Sequence, residues 1–121
     1  MRGDPGVVEL VDAAEWIGIP SIALGELHAG FRAGAHRRRN EEALERFLGH
    51  PVVEELPVDH DVARVFADIV LELRRKGTPI PTNDVWIAAT AGEAGATLLA
   101  YDVHFTAVDR IGVLLLEPTG A

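Results

Sequence analysis

The chain has 121 residues, 48% hydrophobic and 25% charged, which suits one soluble globular domain with a single core. It contains no cysteine, which excludes a disulfide framework and a zinc-thiolate site. Its 19 Asp and Glu against 11 Lys and Arg give a formal charge of -8, which argues against a generic nucleic-acid coat, since binding phosphate without a metal needs clustered cations. Acids that hold a divalent cation reach phosphate by another route, and an ordinary solvated acidic surface is the plainer alternative.

Helix and strand signals alternate from end to end, with no repeat or linker between them. Asp4 can cap a helix with Pro5 at its first position, and Val7, Val8, Leu10 and Val11 supply its apolar stripe. "WIGIP" reads as a short strand closed by Pro20. Ser21 is expected to cap a helix to about Ala33, with Leu24, Leu27, His28 and Phe31 on one face and Glu26 turned away from it. Asn40 opens the next predicted helix and Gly49 closes it; "VVEEL" is a strand. Asp59 caps a long helix over about residues 60–76, in which Val62, Val65, Phe66, Ile69, Val70 and Leu73 keep the 3.6 period until Gly77 ends it.

Thr82 or Asn83 is expected to cap the helix of "IPTNDVWIAATAGEAG", with Gly92 and Gly95 at its end. "ATLLAY" and "GVLLL" follow as strands, and such continuous apolar runs suit strands covered on both faces. The longest of them, residues 113–116, is far too short to span a bilayer, and the N-terminus lacks the basic and apolar regions of a signal peptide. A reducing cytoplasm with no membrane partner is the expected setting. The alternation as a whole reads as α/β with a parallel sheet, in one domain over residues 1–121.

Ligands of open parallel sheets gather beyond the carboxyl ends of the strands. Asp102 directly follows a strand, Asp84 starts a main helix, and Glu26 lies just over one turn into the helix after "WIGIP". Each acid has a local explanation: Asp84 as a cap or first-turn acid favoured by the helix dipole, Glu26 as a solvated acid paired with Arg32 or a neighbour, Asp102 as a turn former. Their convergence at one sheet edge is what those explanations leave out. Three carboxylates near one point repel one another unless a cation fills the gap, and Mg²⁺ or Mn²⁺ suits a few carboxylates plus a substrate phosphate. Metal-assisted phosphodiester hydrolysis is the chemistry to expect.

"IPSIALGELHAGF", "IPTNDVWIAATAGEAGATLLAYDVHF" and the closing "GVLLLEP" resemble the PIN-domain family, specifically the VapC-type ribonuclease toxins of toxin-antitoxin pairs. The resemblance covers nearly the whole chain from Asp4. It implies a parallel sheet sandwiched by helices, an endoribonuclease using Mg²⁺ or Mn²⁺, an RNA substrate, a cognate antitoxin and self-pairing. It matches Glu26, Asp84 and Asp102 to the second, third and fourth acids of the metal site. Such domains open with a strand ending in an acid, and this chain begins where the following helix should be finishing. The expectation is therefore an N-terminally shortened PIN-like domain without its first strand and first ligand. "VVELVD" as that strand, with Asp12 as the acid, is the alternative, but the spacing to Glu26 leaves no room for the usual helices. Loss of the first strand would separate "WIGIP" from "ATLLAY" and weaken solubility and cleavage, leaving open a non-catalytic module that binds antitoxin or RNA. Ala100 stands where the family often has Thr.

The five histidines show no zinc-hydrolase spacing, no Gly-rich phosphate loop is present, and Lys76 is misplaced for a phosphoacceptor receiver. "HRRRN", residues 36–40, is either a solvated connection or a contact for RNA phosphate or an acidic antitoxin segment. Arg74, Arg75 and Lys76 fit the C-terminal dipole of their helix. The small residues Ala23, Gly25, Ala29 and Gly30 permit close approach of a partner or close packing within the domain. Trp16 and Trp86 are expected in the core, and Phe105 is expected to anchor its loop.

Overall fold

The structure is a computed structural model that describes residues 12–116. The helix expected from Asp4, the strand reading of residues 7–11 and the end of "GVLLLEP" lie outside those residues; Asp12 itself is helical. The chain is α/β with parallel strands and four α-helices among the described residues. It forms two compact units, Met1–Leu56 and Pro57–Ala121.

In the first unit, β1 (Ile17–Pro20) leads directly into α1 (Ser21–Ala33), then α2 (Arg37–Leu48) and β2 (Val53–Leu56). β1 and β2 pair in parallel, with Ile17 opposite Val53 and Pro20 opposite Leu56. Leu24, Phe31 and Leu44 form the core, with Ile19, Leu27, Phe47 and Leu48 against it, so the apolar stripe expected on α1 faces inward and leaves Glu26 exposed. Ser21 does not cap α1. Pro20 is the N-cap, and the Ser21 hydroxyl donates instead to the Leu56 carbonyl at 3.2 Å, tying the start of α1 to the end of β2. Trp16 is not a core residue either: it is 43% exposed, and its indole N–H donates to Glu54 Oε2 at 2.8 Å. Its ring lies over Gly18, where an added Cβ would come within 2.6 Å of it.

α2 starts at Arg37 rather than Asn40. The basic run is thus the first turn of a helix, in which Arg37 pairs with Glu41 at 2.9 Å and Arg38 with Glu42 at 3.2 Å. These i,i+4 pairs offset the poor match between arginines and the positive end of the helix dipole. On α1, a Cβ added at Gly25 or Gly30 would meet no atom within 4 Å, so packing inside the chain does not require either glycine.

In the second unit, α3 (His60–Lys76) begins as its sequence dictates: Asp59 Oδ1 accepts the Val62 N–H at 2.9 Å. It ends at Gly77, whose φ of 69° is the left-handed conformation that glycine adopts without strain. Its stripe packs on α4 (Thr82–Glu93), where Phe66 stacks on Trp86 at 3.8 Å between centroids. Gly92 lies in the last turn of α4, at the helix end expected for it. A Cβ there would be 3.3 Å from Ile111 and 3.4 Å from Val65, so the glycine permits a close approach, while Gly95, at φ 65°, makes the turn. β3 (Thr97–Ala100) and β4 (Gly112–Leu115) pair in parallel, Thr97 opposite Gly112 and Ala100 opposite Leu115.

Among the described residues, hydrogen bonding thus gives two two-stranded sheets, β1-β2 and β3-β4, and the strands of "WIGIP" and "ATLLAY" stand in different ones. The expectation that β3 and β4 are covered on both faces does not hold among the described residues, because Leu99 and Leu114, paired across the sheet, are 41% and 43% exposed. No helix among the described residues is long and apolar enough to cross a membrane.

Candidate metal centre

Asp84 falls in the first turn of α4, and the apolar run after it explains its placement. Val85, Ile87, Ala88, Ala89, Thr90 and Ala91 are buried, which pins the helix and leaves its first turn at the margin of the core. The N-cap of α4 is Pro81, with no side-chain cap bond, so neither Thr82 nor Asn83 caps it. Asp84 is free to serve elsewhere, and its side chain retains only 18% exposure.

Asp102 follows β3 and caps a short 3₁₀ helix, Val103–Ala107, by accepting the His104 N–H on Oδ1 at 2.8 Å. Phe105, 6% exposed, anchors that turn in the core as expected. The cap and the anchor together fix where His104 projects. Its Nδ1 lies 3.1 Å from Asp102 Oδ1 and 3.5 Å from Asp84 Oδ2. One donor atom from each of Asp84, Asp102 and His104 lies within 4.8 Å of the others.

Two of the three expected acids, Asp84 and Asp102, therefore meet at one point of the second unit. Glu26 stands exposed on α1 of the first unit. His104 was not singled out by sequence, although the Asp-x-His spacing in a turn after a strand was a usable signal. A protonated Nδ1 donates to Asp102; an unprotonated one turns its lone pair toward the same space. Two carboxylates and an imidazole, partly open to solvent, are a donor set that divalent cations accept.

A second ionic group braces the segment before β4. Arg110 binds the Glu72 carboxylate through Nε, at 3.2 Å, and through Nη2, and Lys76 donates to the Ala107 carbonyl at 2.6 Å and to Asp109 at 3.1 Å. The guanidinium hydrogen bond holds the Glu72 carboxyl below its ordinary range and raises Arg110. Lys76 is thus more than a helix-dipole residue: it ties the end of α3 to the turn that follows the 3₁₀ helix.

The PIN domain family model matches residues 2–111. The chain is similar to ribonuclease VapC5 of Mycobacterium tuberculosis, at 33% identity over 88 residues, covering 73% of this chain and 65% of that protein. It is also similar to ribonuclease VapC4 of the same organism, at 32% identity over 108 residues, covering 84% of this chain and 78% of that protein. Among solved structures, DNA-bound VapBC from Salmonella typhimurium matches with a TM-score of 0.81 and 28% identity, covering 92% of this chain and 84% of that one. The chain spans slightly less than two thirds of the VapC5 length and more than three quarters of VapC4.

Proposed function

This chain belongs to the PIN-domain family, and we propose from that membership that it is the endoribonuclease toxin of a VapBC-like pair, cutting RNA with a carboxylate-held Mg²⁺ or Mn²⁺. The observation that carries the reading is the meeting of Asp84 and Asp102, from two separately anchored elements, within 4.8 Å of one another and of His104. The ribonuclease names of the VapC relatives and the VapBC assembly of the Salmonella neighbour support the same reading. On this proposal residues 1–121 act as one PIN-like domain, since the family match runs through both compact units.

Asp84 and Asp102 supply oxygen donors, and Glu26 adds a third carboxylate by the resemblance. When bound, the cation neutralises phosphate charge and acidifies water for attack at phosphorus. The chain's own residues set the geometry: buried α4 residues fix Asp84, and Phe105 fixes the turn that carries Asp102. The setting is cytoplasmic, with a cognate antitoxin as partner. Self-association is proposed through the α1 face that carries Gly25, Ala29 and Gly30, where a Cβ added at either glycine would meet no atom within 4 Å.

The test is cleavage of single-stranded RNA by the chain with Mg²⁺, with Mn²⁺ and with EDTA, beside Asp84→Asn. Endonucleolytic fragments should form only with metal and only with Asp84 intact. Equal cleavage by Asp84→Asn would overturn the metal-site assignment. Metal binding without cleavage of any RNA would support the non-catalytic module instead. For association, Gly30→Gln should shift light scattering toward the monomer without loss of helix.

A further inference from the structure

We propose that His104 is itself a metal ligand, so that the centre binds its cation through two carboxylates and one imidazole nitrogen and prefers Mn²⁺ to Mg²⁺ more strongly than an all-carboxylate centre would. The inference rests on the metal-dependent reading above and adds a residue that the acid pattern does not contain.

Three observations carry it. His104 Nδ1 lies 3.1 Å from Asp102 Oδ1 and 3.5 Å from Asp84 Oδ2, so this half-exposed ring stands beside both carboxylates at once. Adjacent ligands of an octahedral ion at about 2.1 Å are roughly 3 Å apart, and these separations are close to that edge. Finally, His104 is held by its backbone as well as its ring: its N–H is bound to Asp102 Oδ1 at 2.8 Å, and the next residue, Phe105, is buried. The imidazole comes within a coordination edge of both oxygens without a change of fold.

The chemical consequence follows from ligand type. Mg²⁺ is a hard ion that takes oxygen and gives up water reluctantly, whereas imidazole nitrogen favours first-row transition ions. Replacing one oxygen donor by nitrogen weakens the claim of Mg²⁺ on the site relative to Mn²⁺. Removing the nitrogen should affect the two ions unequally, and that inequality separates a ligand from a residue that only shapes the pocket.

The experiment uses the full chain with Mn²⁺ and Mg²⁺ as probes. Pulsed electron paramagnetic resonance of the Mn²⁺ complex should show modulation from a directly coordinated ¹⁴N, and His104→Ala should abolish it. Calorimetric titration should show the Mn²⁺ to Mg²⁺ affinity ratio falling about tenfold in His104→Ala. His104→Gln should also lose the nitrogen signal, and circular dichroism checks that both variants fold. If Mn²⁺ binds with no nitrogen modulation and the ratio is unchanged in His104→Ala, the ligand role is wrong while the carboxylate centre stands. If the folded chain binds no Mn²⁺, or Asp84→Asn binds it as well as the parent, the metal-centre reading fails and the His104 role fails with it.

Discussion

The Oδ1 atom of Asp102 accepts the His104 backbone N–H at 2.8 Å and also faces its imidazole at 3.1 Å, so one atom serves both the local turn and the proposed centre. Two substitutions separate these roles. Asp102→Asn keeps an oxygen for the backbone bond but removes the charge that a cation needs. It should unfold within about 0.5 kcal/mol of the parent in urea and lose Mn²⁺ binding. Asp102→Ala should lose Mn²⁺ binding and, in addition, about 1 kcal/mol of stability through the missing cap. Undiminished Mn²⁺ affinity in Asp102→Asn would remove this residue from the centre.

At the scale of single elements, α3 is the helix whose limits are best explained, because both ends rest on identifiable chemistry. Asp59→Ala removes the bond to the Val62 N–H, and Gly77→Ala places a Cβ on a backbone with φ of 69°. Each should cost about 1 kcal/mol, read as a lower urea midpoint with an unchanged slope. The same helix carries Glu72, whose hydrogen bond from Arg110 keeps its carboxyl ionised to lower pH than usual. Because that pKa is lower in the folded chain than in the unfolded one, the pair's contribution is complete above the unfolded value and is lost as pH falls through the folded value. The Glu72 and Arg110 side chains are 36% and 34% exposed, which keeps the effect small through solvent screening. Melting curves from about pH 6 to about pH 3 should fall less steeply for Glu72→Gln than for the parent. Identical slopes would show that another group sets the acid limb.

Across the whole chain, a bound cation links stability to metal concentration. With Mn²⁺ at about one hundred times its dissociation constant, the folded state should gain about 2.7 kcal/mol, visible as a raised melting temperature that Asp84→Asn abolishes. Hydrogen exchange under the same conditions tests Glu26, which belongs to the other compact unit. Slower exchange in α1 as well as in α4 and the 3₁₀ helix is expected if Glu26 shares the ion. Slowing confined to residues 82–107 would assign the ion to Asp84, Asp102 and His104 alone.

The residue pattern by itself determined the α/β class, the parallel strands, the inward faces of α1 and α3 and the caps at Asp59 and Gly77. The helix faces and caps depend on contacts within one turn or one period of the chain, and the parallel strands follow from the alternation of helix and strand signals along it. It also brought Asp84 and Asp102 forward as partners, because one starts a helix and the other ends a strand. Only tertiary structure decided that His104 stands beside both, since that position follows from Asp102 capping its own turn while α4, which carries Asp84, is pinned by burial. Trp16 illustrates the same limit from the other side. Its size suggested a core residue, yet Glu54, brought beside it by the pairing of β1 with β2, offers its indole N–H a partner at the surface. Ser21 likewise has the composition of a cap, but the Leu56 carbonyl lies within reach of its hydroxyl, and a bond to the next strand takes the place of a bond to its own helix. Where a residue's partner is distant in sequence, the backbone path that brings the two together decides the outcome, and no local pattern encodes that path.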